Sequence, residues 1–455
     1  MQKPKKKIPD PLLFRSQTPE HSRLVKELFQ GRQQELDDGV AILQAGLDWA
    51  GKRGQAGLDK IPWVIHGETR SGKSHLARRI LTELAEVSDA SDAKDAWQII
   101  VQARDRLDAV QVMQKIFDGL LGFYHACLVD ARFPELSPDD KNFVQSTTEL
   151  MDEVVKFSGG ASSLVWKFSH NTTASLTGGI QAGPKIFKVL ANLGMGGGSG
   201  EEVSLTLAPP TPERYALYCG TMVDTLLRVG RLRHLLVLVD DADLLEVEIR
   251  RPVSQEDKDR NQQRARLTEA LVVLHREAGI DVLVTARSRF ARSSKDFHDL
   301  LDLNEYPMSA EALAQIYAVQ MRTFAAQVEQ PEDFLLPETV LDAAKLSGFL
   351  PGIFLGHLKI AYAVHRREPE NRPRDLNWYM GVFRNYFEQK RNLCSEGAEQ
   401  LIQAISENCL ECAVVDRDLF YGTDLDNVLV VQSYVTPYRY RIVPMMAEIM
   451  KSPSI

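Results

Sequence analysis

The run Gly67-Glu68-Thr69-Arg70-Ser71-Gly72-Lys73-Ser74 meets the spacing G-x-x-x-x-G-K-[ST] without a mismatch, and that spacing has a chemical reason. A triphosphate needs several donors converging on its oxygens. A glycine-rich turn running into a helix N-terminus supplies backbone N–H groups and the positive end of a dipole. Lys73 would add a point charge for the β- and γ-phosphates. Ser74 would offer Mg²⁺ a hydroxyl oxygen, the ligand type this hard cation takes. The flanking residues come in the required order: Pro62-Trp63-Val64-Ile65-His66 is a short apolar run suited to a buried strand, and His75 to Glu86 are good helix formers. Residues Gly67 to His75 are the expected phosphate-binding segment.

A partner strand is expected at Leu235-Leu236-Val237-Leu238-Val239-Asp240-Asp241, an apolar run ending in two acids. Such a run suits a strand buried on both faces, and ligands sit at the carboxyl ends of strands in an open α/β sheet. Asp240 would hold the Mg²⁺ shell, and Asp241 or Asp243 would polarise an attacking water. Aspartate reaches less far than glutamate there, so slow hydrolysis is expected. The plainer alternative is that these acids only cap the next helix. A third strand, Asp281-Val282-Leu283-Val284-Thr285-Ala286-Arg287, should place its tip beside the first two, so that Thr285 and Arg287 contact a γ-phosphate. A surface ion pair is the plainer reading of Arg287. Arg289 or Arg292 would reach a neighbouring subunit.

The elements that position these groups belong to a chain of 455 residues, enough for about three domains. With 44% hydrophobic and 25% charged residues, global disorder and a membrane-embedded body are excluded. The balance of 54 Lys+Arg against 62 Asp+Glu, a net −8, lacks the basic field of a nucleic-acid coat. Five scattered cysteines read as reduced thiols in a cytoplasmic protein, with Cys409 and Cys412 as buried thiols. The basic opening MQKPKKKIPDPLLF lacks a signal peptide's apolar core, and no stretch approaches the roughly 20 apolar residues of a membrane span.

A basic arm over 1–28 precedes a nucleotide domain expected over 29–305. Within it, the distance from Trp97–Val101 to Leu235 is about twice what one crossover helix needs. An insertion at about 105–210 is implied: helices from Leu107 to Leu128 and Asp139 to Phe157, then β-like hairpins from Leu164 to Leu207 between glycine-rich breaks. A partner-binding surface and an inert elaboration both fit this segment. A helical lid is expected over 306–370, and charged, proline-bearing Arg366 to Asp375 reads as a linker. Over 376–455, helices followed by two β-like runs (428–431 and 438–443) suggest a winged helix, although balanced charge there does not favour DNA.

The Phe29 to Leu36 box, the phosphate loop, the Asp240-Asp241 strand and the Thr285-Ala286-Arg287 tip together resemble the STAND and AAA+ branch of P-loop NTPases, similar also to origin-recognition-type initiators. The STAND Gly-x-Pro element has a counterpart with one extra residue in Gly348-Phe349-Leu350-Pro351, and Gly352-Ile353 stand where an AAA+ sensor arginine is usual. The resemblance implies a three-layer α/β/α domain with a parallel sheet, followed by the lid and a winged-helix-like domain. It adds Arg32 and Pro351 to the nucleotide-binding set, with Pro351 facing adenine and Arg287 the γ-phosphate. ATP and Mg²⁺ are the implied cofactors, exchanged for ADP. The implied activity is slow ATP hydrolysis driving conformational change or assembly with a protein partner or further copies, by analogy in prokaryotic stress or defence. The alternatives are a DNA-associated initiator or transposition-regulator ATPase, and a non-hydrolysing scaffold stabilised by ATP.

Overall fold

The computed structural model describes residues 22–50, 61–68, 70–87, 97–103, 107–129, 136–158, 164–169, 202–207, 210–230, 232, 235–242, 254–286, 296–325, 334–368, 373–391, 430–432 and 440–451. In chain order the strands are β1 (Trp63–His66), β2 (Trp97–Gln102), β3 (Leu164–Ser169), β4 (Glu202–Leu207), β5 (Leu235–Asp240), β6 (Asp281–Ala286), β7 (His298–Asp302), β8 (Val430–Gln432) and β9 (Tyr440–Ile442). Five of them form one parallel sheet in the order β2-β5-β6-β1-β7. β6 therefore lies between β1 and β5, and its tip separates the phosphate loop from the acid-bearing strand.

Strand periodicity explains the layers. Successive side chains point to opposite faces, and in β5 and β6 the valines Val237, Val239, Val282 and Val284 pack into one core while Leu236, Leu238 and Leu283 pack into another. The leucine face is covered by α2 (Gln33–Ala50) and α3 (Lys73–Val87), whose Leu36, Leu43, Leu76, Ile80 and Leu84 recur at helical spacing. A short helix, α1 (Ser22–Glu27), packs beside α3. The valine face is covered by α4 (Ala109–Val129), α5 (Pro138–Ser158), α6 (Pro212–Arg228) and α7 (Gln255–Arg276). The fold is the expected three-layer α/β/α arrangement with a parallel sheet.

Two expectations change here. The helical half of the supposed insertion is part of the domain: Phe117, Tyr124, Phe143 and Met151 of α4 and α5 sit in the same core as Tyr218 of α6 and Leu271 of α7. Thr147 and Thr225 share a buried hydrogen bond (3.1 Å) across α5 and α6. Within this segment β3 and β4 form an antiparallel pair outside the main sheet; residues 170–201, with the expected hairpins between, lie outside the described residues.

The second change concerns the linker. After β7 come α8 (Ala310–Gln320), capped by the Ser309 hydroxyl accepting from the Ala312 N–H, a π-helical turn (Met321–Ala325), α9 (Pro337–Leu346) and α10 (Pro351–His365). Then α11 (Leu376–Arg391), β9 and α12 (Pro444–Lys451) join them in one core containing Leu313, Phe334, Phe354, Tyr379, Phe383 and Met446. The described residues of this span, 366–368 and 373–375, are no break in packing. Arg374 is buried, its backbone N–H donates to Phe334 O (2.9 Å) and its guanidinium meets Glu368 Oε2 (2.6 Å) and the Trp378 ring. The expected two-stranded ribbon exists as antiparallel β8 and β9, while the helix expected from Gly397 to Val415, with Cys409 and Cys412, lies outside the described residues. No described helix is long and apolar enough to cross a membrane.

Candidate nucleotide site

β1 ends at His66, and the chain turns through Gly67 to Gly72 before α3 begins at Lys73. The turn closes on itself: Ser71 N–H donates to Glu68 O (3.2 Å) and Leu76 N–H to Gly72 O (3.0 Å). Gly72 has φ +94° and Arg70 φ +70°, a left-handed conformation that glycine adopts freely and arginine only under constraint. Lys73 is only 4% exposed, and its Nζ donates to Gly67 O (3.1 Å) and Glu68 O (2.7 Å), so the ammonium lies within the curve of the loop. Ser71 Oγ is buried without a hydrogen-bond partner among the described residues. A loop with an enclosed ammonium and an orphaned buried hydroxyl fits a polyphosphate. Thr69 lies outside the described residues.

The acid-bearing strand ends in a bonded pair that the sequence did not disclose. Thr285 Oγ1, fully buried at the tip of β6, donates to Asp240 Oδ1 (2.7 Å) and accepts from the Asp241 N–H (2.9 Å). The Thr285 hydroxyl thus spends its one donor on the Asp240 carboxylate. Asp241 is held at φ +53°, and the Ala242 N–H donates to Thr285 O (2.9 Å), so β6 fixes the turn that follows β5. The Arg78 guanidinium, one turn into α3, is 3.9 Å from Asp240 Oδ2. The Asp240 carboxylate and the Ser74 hydroxyl are oxygen donors, the ligand type Mg²⁺ takes. Asp243, Arg287, Arg289 and Arg292 lie outside the described residues.

Three residues of the nucleotide-binding set occupy positions behind the loop. His75 does not face the cradle: its Nε2 meets Val25 O (2.9 Å) and its ring stands edge-on to Phe29 (centroids 5.6 Å), tying α3 to α1. Burial pushes this imidazole below its ordinary pKa, which favours the neutral ring. Arg32 is buried and donates to Ser71 O (3.2 Å), to Tyr306 O (3.0 Å) and to Glu35 (2.9 Å); it clamps loop and lid entrance through their carbonyls. Pro351 opens α10 against the loop, its Cγ 3.4 Å from where a Cβ on Gly72 would stand, and the next residue's amide, Gly352 N–H, donates to Arg70 O (2.9 Å). A Cβ on Gly352 would lie 2.8 Å from Arg70 Cβ, so the contact requires glycine.

The sequence reading missed the far side of the loop. Asn304, in the turn after β7, accepts the Glu68 N–H on Oδ1 (3.0 Å) and donates from Nδ2 to Asp302 Oδ1 (3.0 Å). The fully buried His66 ring lies between Asp302 (3.4 Å) and Asp299 (3.2 Å). Only short β7 offered a signal, and its two leucines flanked by acids lack the long apolar run of β5. The structure thus brings together the loop, Asp240, Asp241, Thr285, Arg32 and Pro351, and adds His66, Asp302 and Asn304.

No known family matches the chain by sequence profile, and no curated protein matches it. Among solved structures it is similar to the Aeropyrum pernix ORC1 protein in complex with DNA (16% identity, 85% of this chain, 75% of that one, TM-score 0.38). It is also similar to the Aeropyrum pernix ORC2 protein in ADPNP-ADP complexes (11%, 97% and 98%, 0.42) and to C. elegans PCH-2 (10%, 81% and 72%, 0.37). At TM-scores of 0.42 and below these likenesses are shallow, and the functional reading rests on the site's own geometry.

Proposed function

We propose that this chain is an ATP-binding switch with slow hydrolysis, whose nucleotide state is passed through the helical region to a protein partner or to further copies of the chain. The observation that carries this is the backbone bond from Gly352 N–H to Arg70 O, with Pro351 seated on Gly72. The first turn of α10 is hydrogen-bonded to the loop that would hold the phosphates. A ligand that rearranges the loop must therefore strengthen or break this bond, and α10 is built into the single core of the helical region.

In this reading the loop amides and Lys73 bind the phosphates, and Ser74 and Asp240 hold Mg²⁺, which when bound neutralises phosphate charge. Thr285 keeps Asp240 oriented. Asp241 or Asp243 polarises water, and Arg287 reports the γ-phosphate. Drawn toward phosphate oxygens, Lys73 would release Gly67 O or Glu68 O and so loosen the turn that Arg70 belongs to.

The test is the solution mass of the protein with ATP·Mg²⁺, with ADP·Mg²⁺ and with neither, alongside Lys73→Ala, with nucleotide affinity measured by calorimetry. Lys73→Ala removes a buried charge-assisted donor and is expected to weaken ATP at least about 100-fold. Growth in mass with ATP alone, absent in the variant, is the expected result. Equal ATP affinity in wild type and Lys73→Ala would overturn the assignment of the site.

A further inference from the structure

The phosphate loop is anchored on both sides, and one anchor comes from a turn with no recognised role. Arg32 holds the loop's Ser71 carbonyl and Gly352 its Arg70 carbonyl. On the opposite side, Asp302-Leu303-Asn304 closes over the loop's first residues. Leu303 N–H donates to His66 O (2.9 Å), and Asn304 Oδ1 takes the Glu68 N–H (3.0 Å). A Cβ on Gly67 would lie 3.1 Å from Leu303 Cβ and 3.4 Å from Asn304 Nδ2, so the two segments are already in contact there.

The orientation of Asn304 is itself fixed. Its own N–H and its Nδ2 both donate to Asp302 Oδ1 (3.0 Å each), which leaves Oδ1 of the amide aimed at Glu68. Asp302 is a reliable acceptor: burial raises its carboxyl, but the adjacent His66 ring and the hydrogen bonds from Asn304 outweigh burial and hold it well below the ordinary carboxylate range. Glu68 is buried, so its N–H has no ready substitute in water. Two residues further on, Tyr306 O accepts from Arg32. One short turn therefore holds the mouth of the loop and the start of the lid.

We propose that Asn304 is a positioning residue for nucleotide binding: it presets the Glu68 end of the phosphate loop, with Asp302 and His66 setting its orientation. The proposal rests on the nucleotide reading of the loop. A loop held in its binding shape loses less freedom on binding, so removing the anchor should appear as lost affinity rather than as loss of the fold.

The experiment measures ATP·Mg²⁺ affinity by calorimetry and the thermal midpoint without nucleotide, for wild type, Lys73→Ala, Asn304→Ala, Asn304→Asp, Asp302→Asn/Asn304→Asp and the exposed control Glu305→Ala. Hydrogen exchange at the Glu68 amide is read in parallel. Asn304→Ala is expected to weaken ATP about tenfold and to speed exchange at Glu68, with Glu305→Ala unchanged. Asn304→Asp keeps an acceptor for Glu68 but sets two carboxylates against each other, so it should also bind weakly. The double variant restores a donor at 302 and an acceptor at 304 and should recover most of the loss, which a purely structural role would not predict. If Asn304→Ala does not fold, the Asn304→Asp and double-variant pair decides the matter alone. ATP affinity within twofold of wild type in Asn304→Ala, or no recovery in the double variant, would overturn the proposal. If wild type and Lys73→Ala bind alike, the nucleotide reading itself has failed.

Discussion

Replacing Thr285 with valine tests what the tip of β6 does. Valine keeps the branched shape of a fully buried side chain and removes only the hydroxyl, which makes two bonds: it donates to Asp240 at 2.7 Å and accepts from the Asp241 N–H at 2.9 Å. A hydrogen bond to a buried carboxylate contributes about 1.5–3 kcal/mol, and an orphaned buried N–H costs about 1–3 kcal/mol. Asp241 also sits at φ +53°, a left-handed conformation that aspartate adopts more readily than most side chains. Allowing for relaxation, Thr285→Val should destabilise the nucleotide-free protein by about 2–4 kcal/mol. For a domain of this size that lowers the melting temperature by about 5–15 °C. Thr285→Ser, which keeps the hydroxyl, should retain most of the stability. Urea denaturation without nucleotide measures this, with ATP and ADP affinities read separately. Wild-type stability in Thr285→Val, combined with loss of discrimination between ATP and ADP, would refute the orienting role and return Thr285 to a γ-phosphate contact.

Asp241→Ala is expected to bind ATP as wild type does and to lose phosphate release, read by a phosphate-release assay; unchanged turnover would move the water-polarising role to Asp243. Gly352→Ala places a Cβ 2.8 Å from Arg70 Cβ and 3.1 Å from its Cα, so α10 must move off the loop. A destabilisation of about 1–3 kcal/mol and faster proteolysis near the start of α10 are expected, and unaltered cleavage would show that the docking tolerates a side chain. Asp302 gives a signed pH dependence. Its folded carboxyl lies below the ordinary value of 3.8, so the unfolded chain binds the proton first and the stabilisation present above that value is lost as pH falls through and below it. The stability gap between wild type and Asp302→Asn should be larger at pH 7 than at pH 3, and a gap independent of pH would show that the Asp302 charge contributes nothing.

The sequence by itself determined the phosphate loop, the acid-bearing strand and the α/β class, because these depend on local spacing. Five residues between Gly67 and Lys73 set a turn, and five apolar residues before Asp240 set a strand buried on both faces. Local chemistry also sets helix starts, where Thr211 caps α6 and Ser309 caps α8. Sheet order was beyond it, since hydrogen bonding between strands leaves no local trace. Only the insertion of β6 between β1 and β5 brings the Thr285 hydroxyl to Asp240. The same holds for Arg32 and His75, whose polar groups meet the carbonyls of Ser71, Tyr306 and Val25. Asn304 and Asp302 carried no signal because their partners, Glu68 and His66, are more than 230 residues away in the chain. The supposed linker at 366–375 reads as charged and proline-bearing in one dimension, yet Arg374 is buried because Glu368, Trp378 and Phe334 meet it from three separate segments. Local chemistry is written in neighbouring residues; the partners that satisfy buried polar groups are chosen by packing, and packing is decided only by the folded chain.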